Sequence, residues 1–444
     1  IECAGAYMSA KSQDPMALSG RSVLLGFQHA LASVGGIITA PLIIALGMGL
    51  SESETAYVIA SALVISGIAT LIQIVRVGPV GSGLLAIQGT SFAFVGAIIY
   101  AFHELTKSLP RDEALGRLFG SMVVCAAIMI GLSWFVRSLK RLITPNVTGV
   151  TLLMIGVSLV WATGSSIWEG YQSQNLDQID VALAVVVMAT IGVLMVVPSI
   201  ALRSTSVVLG LITGCVLAGV LGRLVLPSAA VETRIFLPEF LPYGISIDPV
   251  IVLLLMPIFI ISAAESIGDL TATNRLSGYQ HGDDVYWLRI RGGLLGDSLN
   301  SGLAALVATF PNTTFSQNNG VIRATGATNP VIGIYAALIL LGLGLLPITT
   351  DWIQAIPEPV VQGMTLILFS LVVLAGWSVI HSSAPAWQDY LGIAIAASLG
   401  GWVSLAVGDW SIMPAALVSI FSFPVTNATL LMLFIEIARG KLRS

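Results

Sequence analysis

Charge is what this sequence has least of. Lys and Arg number 19, Asp and Glu 23, so only 9% of the 444 residues are charged. Soluble domains carry about a quarter charged residues. A water-facing surface of this size cannot be covered with so few, which excludes a soluble enzyme and a disordered chain. A formal net charge of −4 offers no basic footprint and excludes a nucleic-acid binder. Cysteine is nearly absent as well: Cys3, Cys125 and Cys215 cannot make a disulfide framework and read as small apolar residues. There is no H-E-x-x-H and no G-x-S-x-G run, so nothing marks an intramembrane protease or hydrolase. No enzyme activity, metal site or cofactor is expected. What is abundant is apolar: 56% hydrophobic residues, with a mean hydropathy of +0.94. The 45 glycines suit membrane helices in close approach.

A spanning helix needs about 20 mostly apolar residues. Fourteen candidate spans lie near 22–47, 56–75, 84–101, 118–136, 145–163, 181–199, 205–222, 249–268, 289–309, 318–328, 331–348, 357–377, 390–408 and 415–437. The tenth is too short for an ordinary crossing, and the third opens irregularly on Gln88-Gly89-Thr90-Ser91. With the N-terminus in the cytoplasm, fourteen of the 19 basic residues fall inside, among them Lys11, Arg21, Arg76, Lys140, Arg141, Arg203, Arg323, Lys441 and Arg443. Lys107, Arg111, Arg117, Arg223 and Arg234 fall outside. This bias places both termini in the cytoplasm of a multi-pass cell (inner or plasma) membrane protein. Trp134, Trp161, Trp168, Trp287, Trp352 and Trp377 fall near span ends, as interfacial aromatics do. The first twenty residues hold no apolar run of the signal-peptide kind. Residues 1–7 read as foreign, with Met8 the expected natural start. The sequons at Asn146 and Asn312 fall at a cytoplasmic span end and in the membrane core, so neither is read as glycosylated.

The chain repeats itself. Pro145-Asn146-Val147-Thr148-Gly149-Val150-Thr151-Leu152-Leu153 resembles Pro359-Val360-Val361-Gln362-Gly363-Met364-Thr365-Leu366-Ile367, one offset of 214 residues apart. These segments open the fifth and twelfth spans, and the irregular third and tenth spans correspond at a similar separation. Two units of seven spans follow, and an odd number inverts the second in the bilayer. Inverted repeats are the mark of secondary transporters, with sites at the midplane where helices break.

Few acids lie inside spans, and an intramembrane acid is a functional hypothesis by default. Glu265 and Asp269 are four apart on one face of the eighth span, although Asp269 also reads as a helix-end acid facing water. Asp297 lies in the ninth span, as a functional acid or a packing hydrogen-bonder. His29, in Gly26-Phe27-Gln28-His29, reads equally as a core histidine or a site residue; His103, His281 and His381 fall in loops. The tenth span is the most unusual: Phe310-Pro311-Asn312-Thr313-Thr314-Phe315-Ser316-Gln317-Asn318-Asn319-Gly320. Pro311 and the β-branched threonines disfavour helix before Ser316, and Asn-Asn-Gly then opens a short one. Its first N–H groups would point at a ligand, and Gln88 to Phe92 would do the same from the first repeat. Two broken helices meeting head-on enclose a polar cavity with Phe92 as an apolar plate, suited to a flat ligand rich in donors and acceptors.

At these residues the sequence resembles the nucleobase–ascorbate transporter family, the xanthine/uracil permeases. The family signature is Gln, Glu or Pro, then Asn-x-Gly, four residues, Thr, and Arg, Lys or Gly. Here it reads Gln317-Asn318-Asn319-Gly320-Val321-Ile322-Arg323-Ala324-Thr325-Gly326, and every fixed position matches. Glu265-Ser266-Ile267-Gly268-Asp269, Gln28-His29 and Gln88-Gly89-Thr90-Ser91-Phe92 match as well. The resemblance implies an all-α polytopic membrane protein of 14 transmembrane segments in two inverted seven-span repeats, with short antiparallel β-strands in spans 3 and 10. It implies a core domain, 21–136 and 248–348, and a gate domain, 137–247 and 349–438. Cytoplasmic tails at 1–20 and 439–444 and a homodimer through the gate complete it.

Gln at the first signature position is similar to the purine branch. The implied activity is H⁺-coupled import of xanthine or urate by alternating access, with a proton as the coupling ion. A uracil H⁺ symporter is the alternative, and a sulfate or bicarbonate carrier on the same broad fold stands behind it. The expected substrate-binding residues are Glu265, Gln317, Phe92, Ser91, Ser316 and Asn318. Glu265 is the expected proton carrier and Asp297 its rival, with His29 and Asp269 as supporting polar residues. The expected partners are a nucleobase, a proton, the lipid bilayer and a second copy of the chain.

Overall fold

The computed structural model describes residues 20–137, 144–199, 202–203, 205–224, 235–280, 282–346, 355–382, 385–406 and 415–440. The N-terminal tail through Ser19 with Met8 and Cys3, the C-terminal tail beyond Gly440, His281, Trp352, and Lys11, Lys140, Arg141, Arg234, Lys441 and Arg443 lie outside the described residues.

In chain order the first seven segments are α1 (Gly20–Gly47), α2 (Glu52–Val75), β1 (Gln88–Thr90) leading into α3 (Val95–Thr106), α4 (Arg111–Ser133), α5 (Pro145–Gln172), α6 (Gln178–Val196) and α7 (Ser206–Val220). The second seven are α8 (Pro249–Leu276), α9 (Asp284–Leu306), β2 (Asn312–Thr314) leading into α10 (Ser316–Thr325), α11 (Pro330–Leu345), α12 (Glu358–Ser382), α13 (Trp387–Ala406), and α14 (Ala415–Phe421) with α15 (Pro424–Ala438). Among the described residues eight helices are long and apolar enough to cross a membrane, and four shorter apolar ones join them. The more polar α9 and the β2–α10 segment complete fourteen.

Helix boundaries follow local chemistry. Ser51 caps α2 by accepting from the Glu54 N–H, while the Glu54 carboxylate accepts from the Ser51 N–H at 2.7 Å, a reciprocal capping box. Thr144 caps α5 with Pro145 at its first position, where a missing N–H costs nothing. The short α10 ends on Gly326 at φ +66°, whose N–H reaches Ile322 O. The last segment departs from the single span expected over 415–437. It breaks at Ser422-Phe423 because Pro424 has no N–H to continue the ladder. Asn427 Nδ2 covers the break, donating to Phe421 O at 2.6 Å and Gly400 O at 3.3 Å.

The repeat is visible in the packing. Several contacts recur with both partners moved by seven segments: α2 on α11 matches α4 on α9, α1 on α11 matches α4 on α8, and α1 on α2 matches α8 on α9. Likewise α6 on α12 matches α5 on α13, and α6 on α7 matches α13 on α15. Segments α1–α4 thus pack chiefly with α8–α11, and α5–α7 with α12–α15. The second group holds a close approach of α5 on α12, the pair that opens with the repeated sequence. A Cβ on Gly376 would stand 2.7 Å from Leu153 N and 2.8 Å from Gly149 O. Backbones this close require glycine. The two sequons are accounted for by packing, since Asn146 and Asn312 are both buried.

The strands form a two-stranded antiparallel ribbon with register Gln88↔Thr314, Gly89↔Thr313 and Thr90↔Asn312. Ser91 N donates to Pro311 O at 3.0 Å and Phe315 N to Ile87 O at 2.9 Å, extending it at both ends. Every ribbon residue is buried, as non-helical backbone at membrane depth must be unless it lines a cavity.

Gly376→Val is expected to force α5 and α12 apart and destabilise the fold by about 1–3 kcal/mol, typical of overpacking. Thermal unfolding in detergent checks this, and an unchanged midpoint would contradict the close-packing argument.

Candidate substrate site

The ribbon delivers both half-helices to one place. α10 begins immediately after β2, and a 3₁₀ turn (Phe92–Phe94) immediately after β1. In front of them lies a cavity of about 1210 Å³ lined by Ser91, Phe92, Glu265, Asp269, Ser316 and Gln317 among others. Thr144, Arg203 and Arg323 line it as well. They sit at the same helix ends as Arg21, Arg76 and Arg137, so the cavity reaches one face of the bundle.

Glu265 lies on α8, part-way along the helix, and is only partly covered. Among the described residues its carboxylate has no hydrogen-bond or ion-pair partner, and neither does the Gln317 side chain. No side chain caps α10. Asn318 N turns back to Phe315 O at 3.3 Å, which leaves the Ser316 and Gln317 N–H groups without an acceptor among the described residues. An acid, an amide and a pair of free N–H groups therefore converge on one space. The ring of Phe92 borders the same space beside Phe315. A Cβ on Gly36 would stand 2.9 Å from Phe315 and 3.5 Å from Phe92, so this glycine makes room for both rings.

Around this front lies a set of braces. His29 Nδ1 is 2.6 Å from Asn318 Oδ1, and Asn318 Nδ2 donates to Leu85 O at 2.6 Å. With the amide oriented this way its oxygen is the acceptor, so the histidine proton sits on Nδ1. His29 and Asn318 are buried and do not line the cavity: they tie the first turn of α10 to α1 and to the segment before β1. Asp269 lines the cavity one turn beyond Glu265. Asn319 Nδ2 donates to its backbone oxygen at 3.2 Å and its carboxylate at 3.3 Å, while Asn319 Oδ1 accepts from Thr273 at 2.6 Å. Ser266 meets Thr313 at 2.9 Å, joining α8 to the ribbon.

Asp297 sits behind the ribbon, away from the cavity, and is 5% exposed. Gln73 Nε2 donates to it at 3.2 Å and Thr314 Oγ1 at 3.3 Å. Gln88 Nε2 in turn donates to Thr314 Oγ1 at 2.8 Å. The structure therefore places Glu265, Asp269, Gln317, Ser316, Ser91 and Phe92 on the cavity wall, and His29, Asn318 and Asp297 in the support behind it. The Ser91 N–H is taken by Pro311 O, so Ser91 presents its side chain and not that donor.

Two features escaped the sequence reading. Gln73 is the hydrogen-bond partner of Asp297, and its signal was an amide within the apolar run Ile72-Gln73-Ile74. Glu436 is a further buried acid, in α15, held by Asn146 Nδ2 at 2.9 Å. It sits near a span end, where an acid usually reads as solvated.

Replacing Asn318 by Leu leaves the His29 N–H and Leu85 O unpaired, and the expected cost is about 1–3 kcal/mol with weakened ligand binding. Thermal unfolding with and without ligand checks both effects; a variant as stable as the parent would mean that the brace is not needed.

The chain matches the permease family over residues 20–408. It is similar to the xanthine permease XanP of Escherichia coli (strain K12), 36% identical over 85% of this chain and 83% of that one. It is also similar to the xanthine permease XanQ of the same organism, 32% identical over 92% and 89%. Among solved structures, the transmembrane domain of the cyanobacterium bicarbonate transporter BicA is similar in fold, with a TM-score of 0.56 at 14% identity, covering 94% of this chain and 97% of that one. A match over most of the length, at these identities and with the complete signature at Gln317–Gly326, shows that the chain belongs to the family of xanthine/uracil permeases, the nucleobase–ascorbate transporters.

Proposed function

We propose that this chain is a nucleobase transporter that imports an oxidised purine, xanthine or urate, together with a proton. The observation that carries the reading is the unpaired Glu265 carboxylate facing the unpaired Gln317 amide across one cavity. A purine with ring N–H groups and carbonyls supplies what both lack. Glu265 accepts from ring N–H groups, and Gln317, which has two donors and an acceptor, pairs with a ring amide edge. The N–H groups at the start of α10 hold a ring carbonyl, with Ser91 and Ser316 adding hydroxyls. Phe92 packs on the ring face. Asn318 and His29 keep α10 in position, and Asp269 gives the acid face a second polar group. The names of the relatives, xanthine permeases, support the same substrate class.

Transport works by alternating access between a core domain (21–136 and 248–348) and a gate domain (137–247 and 349–438), with homodimerisation through the gate. The cavity opens toward the face that holds Arg203 and Arg323, and the excess of basic residues assigns that face to the cytoplasm. Both termini lie there, in the inner or plasma membrane. A charged carboxylate is costly inside a membrane, so protonation of Glu265 lowers the cost of moving the site. Asp297 is the alternative carrier. A uracil substrate remains the second reading, because it has the same alternation of N–H and C=O. A sulfate or bicarbonate carrier fits less well, since such an ion has neither ring N–H groups for Glu265 nor an amide edge for Gln317.

Uptake in transport-null cells separates these readings. Labelled xanthine or urate is expected to accumulate, uracil is not, and a protonophore is expected to abolish the accumulation. Glu265→Gln is expected to retain binding while uphill uptake falls about a hundredfold or more, the scale of a lost proton-transfer group. Uracil uptake without xanthine or urate would overturn the substrate assignment. Proton-driven accumulation in the Gln variant would move the coupling role to Asp297.

A further inference from the structure

Behind the ribbon lies a second polar region that substrate recognition does not use. Its geometry follows from the hydrogen bonds between four elements. Gln73 on α2 meets Asp297 on α9, and Asp297 meets Thr314 on β2, which pairs with Gln88 on β1. One helical turn further along α9, Ser301 Oγ donates to Asn312 O at 3.0 Å, and Asn312 pairs with Thr90. Asn300 Nδ2 meanwhile donates to Ala69 O on α2 at 3.4 Å. The elements therefore stack in two layers. The first holds Gln73, Gln88, Asp297 and Thr314. The second holds Ser66, Thr90, Asn300 and Asn312.

Side chains alternate across a strand. Thr90 and Asn312 therefore face the same way as Gln88 and Thr314, toward α2 and α9, although Thr314 also borders the cavity. Their layer is deeply buried: Thr90, Asn300 and Ser66 are 0% exposed and Asn312 is 2% exposed. Yet among the described residues Ser66 Oγ, Thr90 Oγ1, Asn300 Oδ1 and both polar atoms of Asn312 have no hydrogen-bond partner. These polar atoms come from α2, which β1 meets where Gln88 N donates to Thr70 Oγ1 at 2.9 Å, and from β1, α9 and β2; buried at membrane depth without partners among the described residues, they call for an occupant. The chemistry of the set selects it. It offers acceptors and, in Asn312 Nδ2, an amide donor. A cation would be repelled by that donor, whereas water uses both and needs two to four such partners.

We propose that Ser66, Thr90, Asn300 and Asn312 enclose a hydrated chamber that relays the coupled proton to and from Asp297. This rests on the proton-symport reading given above, with Asp297, the alternative carrier named there, taking the coupled proton. In the relay a protonated water gives its proton to the Asp297 carboxylate, leaving neutral water and a carboxylic acid, and release reverses the step. One turn of α9 separates the layers, about 6 Å, a distance that one or two waters bridge. Asp297 meets neutral side chains: Gln73 from α2, Thr314 and Gln88 from the ribbon, and Ser266 from α8. On α8, Glu265 and Asp269 line the cavity in front of the ribbon, and Asp269 and Asp297 feel each other's charge. On α4, which packs against α9, Cys125 is the one titratable side chain between Arg117 and Ser133. The chamber thus carries a proton past the ribbon to the back of the site that Glu265 opens at the front.

The test uses the purified full chain in proteoliposomes. Thr90→Val replaces a chamber hydroxyl by a methyl group of similar size, and the double variant Ser66→Ala/Thr90→Val removes both hydroxyls. Substrate binding and counterflow exchange at equal pH are expected to stay within about twofold, while accumulation driven by a pH gradient falls about tenfold, a modest share of what a proton-transfer group contributes. Thr90→Val, nearly isosteric, serves if the double variant fails to bind substrate. Wild-type accumulation in a variant that still binds would overturn the chamber and leave the symport reading intact. A map that resolves ordered water elsewhere but none between Thr90 and Asn312 would do the same. Accumulation by the parent protein under a Na⁺ gradient at constant pH would replace water by a cation and overturn the proposal. No proton-driven accumulation by the parent protein would overturn the symport reading and this one together.

Discussion

A membrane offers backbone N–H and C=O groups no water, so each must find a partner in the protein. Every unusual feature here depends on how this chain meets that demand where two of its segments are not helical. Ile87 to Ser91 and Pro311 to Phe315 run through the interior as extended chain, and each satisfies the other. Neither strand is stable without its partner, and the partners come from opposite repeats. The ribbon thus welds the two halves, alongside hydrogen bonds such as His29 to Asn318 and Gln73 to Asp297. It also fixes, through its register, which side chains look forward into the cavity and which look back toward α2 and α9.

Stopping two helices at mid-membrane has an energetic consequence. A helix that begins in the interior leaves its first N–H groups without intrahelical partners, and a side-chain cap normally covers some of them. α10 has no such cap. Instead, Asn318 is turned away from the cavity, toward His29 and Leu85. The side chain best suited to quench the helix start is held elsewhere, and the free donors remain available. Gly36 contributes in a similar way, since its missing side chain is what admits Phe315 and Phe92 to the same space.

Much of this was legible in the residues. Apolar run lengths gave the fourteen segments, and the repeated Pro-Val-Gly-Thr-Leu pattern gave the seven-segment symmetry that the packing displays. Pro311 and the threonines after it correctly delayed α10 until Ser316, because proline and β-branched residues oppose helix on local grounds. What could not be read was set by partners distant in sequence. Gln73 lies 224 positions from Asp297, and nothing local distinguishes it from any other amide in an apolar run. The break before α15 was missed for the opposite reason. Pro424 is a local signal, but a proline in a membrane helix is often accommodated by neighbours, as Pro41 and Pro257 are within α1 and α8.

The buried acids show why position in sequence is a poor guide to role. Glu436 is held by Asn146 and lies far from the cavity. Asp389, on α13, is neutralised by Arg439 at 2.6 Å, which explains its burial without any ligand. Asp297 is held by Gln73 and Thr314, neutral donors that steady the carboxylate without fixing its charge. Asp269 shares its oxygens with Asn319. Glu265 alone among these five has no partner within the described residues. An acid left unpaired at membrane depth is tolerable only if something else arrives to meet it. A substrate N–H or a proton does so, and binding one changes the cost of holding the other. That mutual dependence is the physical basis for coupling. It arises because this one carboxylate was left unpaired while the other four were not.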